Sequence, residues 1–304
     1  MENDAPKLKL GILGLSEGNG HPYSWSAICN GYDPEAMQRC PFPVIPEYLG
    51  KRRFPEDAIA EATVTHVWTQ EKALSEQIAA AARIPHVVDQ YEDMIGKVDG
   101  ILLARDDAEN HLTMSGPFLR AGLPIYIDKP LALSRREAEK IYLCQKYEGQ
   151  IFTCSALAFA EELMLTEDDR AALGSIGRIE CSTMKSWPTY APHIIEPVLN
   201  LIGDQGAITD IHVTRSPEGM VAVEVCWETG LETCFSALGA HTKSIEIVVI
   251  GDRRLKRLVF ADSFSAFRSA LQAFIDIIRK RREPISRQFV MTVVGIIESG
   301  MRQE

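Results

Sequence analysis

The chain of 304 residues has no C-x-x-C pair, and its seven cysteines are scattered and odd in number. A disulfide framework and a zinc site are therefore both disfavoured, no metal is expected, and reduced thiols point to a cytoplasmic protein. No apolar run reaches the roughly 20 residues that a membrane-spanning helix needs. The opening MENDAPKLKL also lacks the apolar stretch of a secretory signal. A cytoplasmic protein without a membrane partner is the expectation. Positive charge is scarce: 32 Lys and Arg stand against 42 Asp and Glu, leaving a net charge of −10. The basic face that nucleic-acid binding requires is missing, so no nucleic-acid partner is expected. Internal repeats and low-complexity linkers are absent too. With 46% hydrophobic residues, the chain can form two modest domains with real cores.

Short apolar runs alternate with helical patterns through the first half. Strands are expected at residues 7–15, 64–69, 87–88, 100–104, 125–127 and 151–156. Helices are expected at 22–28, 72–83, 91–95, 111–121 and 131–142, the last with Ser134 and Glu137 at capping-box spacing. This order of βα units predicts a Rossmann-type, doubly wound parallel sheet over residues 1–157. Residues 29–62 interrupt it as a long insertion, and Pro41, Pro43, Pro46 and Pro55 exclude one continuous helix there. Its aromatics Phe42, Tyr48 and Phe54 imply a packed excursion, a lid or a subunit contact.

After about Phe159 the pattern changes. Strands are expected at 176–184, 207–214, 221–227, 232–238 and 244–250, with a hairpin turn at Gly230, and helices return at 264–280 and 287–301. Residues 158–304 thus read as a second α/β domain, a largely antiparallel open sheet with closing helices.

Several residues sit where an α/β sheet binds ligands. The turn carrying Gly11, Gly14, Ser16, Gly18, Asn19 and Gly20 follows the first strand, as a dinucleotide phosphate loop would. G-x-G-x-x-G is not clean, because Ser16 stands at the expected second glycine and Glu17 would repel a pyrophosphate. A glycine-rich turn that holds no nucleotide is the alternative. The ribose-selecting position after the second strand falls on Thr69, which is neither the acid that favours NAD nor the arginine that favours NADP. Arg105 ends a strand at the same edge and either binds an anionic group or pairs with Asp106 or Asp107. Asp128 and Lys129 follow the 125–127 strand, and Pro130 stops it. His193 falls in the first turn of a helix with an apolar stripe, where it can shuttle protons near neutral pH or serve as a structural cap.

The stretch AGLPIYIDKPLALSRREAEKIY resembles the Glu-Lys-Pro segment of the Gfo/Idh/MocA oxidoreductases, with Asp128 in place of the glutamate. VDGILLARDDAENHLTMSGPFLRAG is similar to the family's preceding strand, loop, histidine and helix. There the histidine, His111 here, supports the cofactor cleft. The stretch SWPTYAPHIIEPVLNLIG resembles its catalytic helix, although Thr189 replaces the usual aspartate. Tyr190 then stands in for the missing acid or hydrogen-bonds a substrate hydroxyl. The resemblance implies NAD or NADP as cofactor and hydride exchange at a hydroxyl-bearing carbon of a sugar, cyclitol or nucleotide-linked sugar. Lys129 and His193 would manage the hydroxyl proton, and a homodimer or homotetramer is implied. Two rivals remain: a non-catalytic nucleotide- or sugar-binding relative, and a lyase or hydrolase that cycles tightly bound NAD.

Overall fold

The computed structural model describes residues 6–302. Along the chain lie β1 (Leu8–Leu13), α1 (His21–Asn30), α2 (Pro34–Met37), α3 (Val44–Leu49), β2 (Ala62–Trp68), α4 (Lys72–Ala81), β3 (His86–Val87), β4 (Gly100–Leu103), α5 (His111–Ala121), β5 (Ile125–Ile127), α6 (Arg135–Tyr142) and β6 (Ile151–Thr153). There follow α7 (Glu167–Leu173), β7 (Ile176–Thr183), α8 (Trp187–Tyr190), α9 (Pro192–Ile202), β8 (Ile208–Arg215), β9 (Val221–Trp227), β10 (Glu232–Ala237), β11 (Glu246–Gly251), β12 (Leu255–Val259), α10 (Ser263–Ile278) and α11 (Arg287–Met301).

The chain divides into two units. One holds the chain up to Leu131 together with Glu139–Thr153 and Phe267–Ser286; the other holds Ala132–Ala138, Cys154–Ala266 and the chain from Arg287 onward.

In the first unit six strands pair in the order β3-β2-β1-β4-β5-β6, all parallel. This is the doubly wound arrangement, in which the order reverses between β1 and β4 and leaves a crevice at the carboxyl ends of the strands. The central strands are buried throughout, as Gly100–Leu103 and Ile125–Ile127 illustrate. That explains their continuous apolar runs, since both faces of a parallel sheet are covered. Phe274 of α10 packs its ring against Tyr126 and Phe152, so a C-terminal helix contributes to this core. The 29–62 insertion folds into α2 and α3, with Met37, Ile45 and Leu49 buried. Tyr48 donates a 2.5 Å hydrogen bond to Ser24 of α1. The insertion is packed on its own unit along that helix.

The second unit carries a sheet in the order β12-β11-β7-β10-β9-β8. Strict alternation, as in β9 with Val221, Val223, Val225 and Trp227 inward, sends one face toward α8, α9 and α11. Trp187 of α8 donates from its indole nitrogen to the Ile297 carbonyl of α11 at 2.9 Å. Two features depart from the expected sheet. The β7–β10 pair is parallel, so the sheet is mixed, although its other pairings are antiparallel. The sequence pattern also passes over β12, an edge strand in which only Leu258 is buried.

The basic run near residue 280 is more than a solvated helix end. Arg281 grips Glu61 through two 2.7 Å hydrogen bonds and also pairs with Asp276. These Arg281 bonds, aided by Gln272 and Arg279, hold the Glu61 carboxyl at about 2, below its ordinary 4.5. A carboxyl lowered in this way stabilises the folded state above its ordinary titration range, and the contribution fades as pH falls toward 2. Glu61→Gln is therefore expected to melt lower than wild type at pH 7. The difference should shrink between about pH 4.5 and 2, as thermal melts across that range would record. A constant difference would count against the ion pair.

Candidate active site

The crevice edge of the first unit is built from four chain segments. The loop after β1 is shaped by close packing. A Cβ on Gly14 would overlap Pro22 Cγ, and one on Gly20 would lie 2.6 Å from Phe42 Cδ2 and 2.5 Å from Ile45 Cδ1. A Cβ on Gly11, within β1, would meet Met94 Sδ at 2.5 Å, so its role is core packing. Gly18 differs from these three: its φ is 75° and nothing lies within 4 Å of its missing Cβ, so the loop is open there.

A helix start normally offers free N–H groups to an anion. At α1 they are spent inside the protein. The His21 N–H donates to Asn19 Oδ1 at 2.8 Å, Pro22 has no N–H, and the Tyr23 N–H donates to the Gly20 carbonyl at 3.1 Å. Gly18, three residues before the helix, is the exposed glycine of this loop.

At the end of β2, Thr69 is buried, and its hydroxyl is held by the Glu71 carbonyl and Ser75 Oγ. It builds the turn into α4. The adjacent Gln70 bridges to the glycine loop, its Nε2 donating to the Leu15 carbonyl at 2.7 Å and its Oε1 accepting the Leu15 N–H at 3.1 Å. Arg105, at the end of β4, joins this bridge. Its guanidinium donates to the Leu15 carbonyl at 3.1 Å and to Gln70 Oε1 at 3.0 Å, and it pairs with Asp107. His111 is fully buried and spans the Arg105 and Leu131 carbonyls at 2.8 and 3.0 Å, the supporting role expected of it.

The end of β5 is the most constrained point. Asp128 is 1% exposed, and its Oδ2 receives the Asn19 side-chain amide at 2.8 Å and meets His21 Nδ1 at 2.5 Å. Oδ1 accepts the Lys129 N–H at 2.8 Å. Burial alone would push the Asp128 carboxyl up. The His21 ring, Lys129 and Asn19 together outweigh it and hold the group at about 2, below 3.8. The His21 ring stacks on Trp25 at 5.0 Å and meets the edge of Phe267 at 4.9 Å. Lys129 is itself buried, with Nζ 3.4 Å from Asp106 Oδ2. The other Asp106 oxygen accepts from Ser16 Oγ at 2.6 Å. Thus Ser16, Asn19, Asp128 and Lys129, four of the residues singled out in the sequence, meet in one polar network, together with His21 and Asp106.

In the second unit His193 lies in the first turn of α9, 9% exposed. Its Nδ1 meets Ser155 Oγ at 2.7 Å, and the Ser155 N–H donates to Glu196 Oε2 at 2.7 Å. Tyr190 sets its ring edge-on to His193 at 5.0 Å, and Lys185 Nζ lies 4.6 Å over the Tyr190 ring. Thr189 meets Ser186 Oγ at 2.5 Å. The structure therefore groups His193 with Tyr190, and the sequence reading missed Ser155, Lys185 and Glu196 beside them. His21 and Gln70 were missed as well. A histidine and an amide next to a glycine loop are the only local signals, and their partners lie 107 and 55 positions away.

Removing the ring of His21 leaves a buried carboxylate short of a donor. His21→Ala is expected to raise the Asp128 titration point, read by carbon-13 carboxyl NMR, and to cost about 1–3 kcal/mol in denaturant unfolding at pH 7. A loss below about 0.3 kcal/mol would mean that Asn19 and the Lys129 amide suffice.

Residues 49–155 match the Gfo/Idh/MocA family, described as an oxidoreductase family with an NAD-binding Rossmann fold. The matched segment runs through β2 to β6 and includes Asp128 and Lys129, while the glycine loop lies before it. No curated protein matches the sequence. Among solved structures, myo-inositol 2-dehydrogenase from Lactobacillus plantarum is similar at a TM-score of 0.73 and 13% identity, covering 97% of this chain and 96% of that one. UDP-N-acetylglucosamine 3-dehydrogenase from Acidithiobacillus ferrooxidans gives 0.71 at 10% identity, with 97% of each chain covered. GenD2 from gentamicin A biosynthesis, solved in complex with NAD, gives 0.71 at 13% identity, covering 98% of this chain and 94% of that one. At such identities these likenesses establish the fold alone. The matched segment and the shared fold lead to one conclusion: over residues 49–155, about a third of the chain, the sequence is similar to the Gfo/Idh/MocA oxidoreductase family, and the fold of the solved dehydrogenases extends over the rest.

Proposed function

We propose that the chain is an NAD(P)-dependent oxidoreductase acting at a hydroxyl-bearing carbon of a sugar, cyclitol or nucleotide-linked sugar. The observation that carries this reading is Lys129, buried at the carboxyl end of β5 in a 3-2-1-4-5-6 sheet and inside the matched NAD-binding segment. The dehydrogenases of the same fold support the substrate class. The first unit fits a dinucleotide in a modified form. Its switch-point crevice is present and the loop is open at Gly18, whereas the N–H groups at the start of α1 are already used. The Gly14–Gly20 loop would hold the pyrophosphate by its backbone, and the Gln70 and Arg105 bridge would border the ribose. Thr69 supplies no acid, so the choice of NAD or NADP rests on Glu71 and Lys72 beside it.

When bound, a nicotinamide exchanges a hydride with a carbinol carbon. The chain's own groups handle the proton. In the reducing direction the Lys129 ammonium donates it to the forming alkoxide, and in the oxidising direction the neutral amine takes it from the hydroxyl. Asp106, at 3.4 Å, orients Nζ, and Asp128 anchors the backbone on which the lysine sits. His193 is proposed as a second proton carrier, with Tyr190 contacting a substrate hydroxyl. A cytoplasmic homodimer or homotetramer completes the reading, and light scattering of the purified protein tests the assembly.

Isothermal titration with NAD, NADH, NADP and NADPH is the first test, and failure of all four to bind folded protein ends the proposal. Lys129→Ala should keep cofactor affinity within a few-fold while lowering single-turnover hydride transfer by about a hundred- to ten-thousand-fold. A mutant within a few-fold of wild type would reduce Lys129 to a binding or structural residue. Net NADH accumulation on a turned-over substrate separates a dehydrogenase from an enzyme that cycles bound NAD.

For His193, Asn is the informative replacement because it preserves hydrogen bonding and removes the titratable group. His193→Asn should depress the rate or the substrate affinity and leave Tm nearly unchanged. Lost stability with normal kinetics would assign His193 a purely structural part.

A further inference from the structure

The carboxyl end of α1 carries a cavity that the proposed reaction does not use. About 410 Å³ in volume, it is lined chiefly by Tyr32, Pro34, Arg52, Phe54, Pro55 and Arg83, all within the first unit. His21 opens α1 and Asn30 ends it, so a helix of ten residues, about 15 Å, separates this cavity from the β5 network. The 29–62 insertion supplies most of its wall, and no acidic side chain lines it. In a chain with ten more acids than bases, two arginines sharing one concavity are a local inversion of charge.

Three observations make this more than a surface dent. First, its floor is pinned. The Asn30 side chain donates to the Val64 and Ala82 carbonyls at 2.8 and 3.1 Å and accepts from the Val64 N–H at 2.9 Å, which ties α1 to β2 and to the end of α4. Second, Tyr32 and Phe54 meet edge-to-face, 5.3 Å apart at 88°, and offer apolar ring surface next to the two guanidinium groups. Third, Arg83 occupies a position that favours glycine. Helix α4 ends in a Schellman turn, with the Ile84 N–H donating to the Ala79 carbonyl at 2.9 Å. Its left-handed residue, at φ 53°, is Arg83. A side chain there is strained, and glycine is the usual occupant. The Arg83 guanidinium reaches back over Gly31, with one nitrogen 3.9 Å from where a Cβ would stand. Strain held at a position whose side chain lines a cavity points to use of that side chain.

We propose that this cavity is a second small-molecule site that takes an organic phosphate of nucleoside-monophosphate size. Arg52 and Arg83 would clasp the phosphate, and the Tyr32–Phe54 pair would bear the planar body. Guanidinium forks match phosphate oxygens bidentately and stack on aromatic faces. The volume falls within the range of small-molecule pockets, about 300–1,000 Å³.

The test is calorimetric titration of the full chain with uridine 5′-monophosphate, with uridine and inorganic phosphate as the two half-ligands. The nucleotide should bind at least tenfold more tightly than either half. Arg52→Ala and Arg83→Gly should each weaken it at least tenfold, while saturating NAD leaves it unchanged. Arg83→Gly should also melt about 2 °C higher than wild type, which shows that the fold survives and that the arginine is retained against stability. NAD titration of the same variant should match wild type, so failure here is distinguishable from failure of the oxidoreductase reading. The proposal is overturned if the nucleotide does not bind wild type, if its affinity survives Arg83→Gly, or if NAD displaces it.

Discussion

The buried carboxylate of Asp128 is the constraint around which the crevice edge is organised. An ionised acid at 1% exposure must be surrounded by donors, because a buried charge without partners is very costly. The donors come from three places: the Asn19 amide in the glycine loop, the His21 ring at the start of α1, and the Lys129 backbone. The end of β5 is thereby fastened to the turn after β1, although residues 19 and 128 are far apart in sequence. Because the next residue is Lys129, the same fastening sets the backbone that carries the proposed proton-transfer group.

This fastening shapes the loop that a nucleotide would meet. Once Asn19 turns toward Asp128 and caps the His21 amide, and Pro22 removes the next N–H, the helix start has nothing left to offer an anion. The proposed recognition by backbone amides then falls to the open stretch at Gly18. The other loop glycines serve space: Gly14 makes room for Pro22, and Gly20 makes room for Phe42 and Ile45 of the insertion. The irregular glycine spacing is thus a consequence of packing. Beyond β2, Gln70 and Arg105 tie the neighbouring loops together through the Leu15 backbone and each other.

The parts of this architecture that repeat locally were legible in the sequence. β5, α5 and α11 fall on the expected residues, because a continuous apolar run or a long helical stripe leaves no rival reading. β12 was not legible: a single inward residue gives no alternation to detect, and its Lys256 and Arg257 are what an edge strand carries to discourage pairing. Nor does local pattern encode that β7 runs parallel to β10, a pairing of Arg178 with Glu232. Residue types singled out Lys129 and His193, the one at a strand end of the first unit and the other in the first turn of a helix of the second. The pairing of His21 with Asp128 is a tertiary fact, and only the fold brings those residues together.

The two histidines differ in what holds them, and the difference bears on the chemistry each can do. His21 faces a carboxylate at 2.5 Å, which ties the position of its ring to that of Asp128. His193 has its Nδ1 at 2.7 Å from a hydroxyl, Ser155 Oγ, which orients the ring without lending it negative charge. The nearby acid, Glu196, accepts the Ser155 N–H and so steadies the segment that carries the hydroxyl. Thr189 meets the Ser186 hydroxyl. The hydroxyl partner can both donate and accept, the property asked of a neighbour of the proton carrier proposed above. His21 is the opposite case: its ring meets the buried Asp128 carboxylate directly, so its place is to hold the crevice in shape.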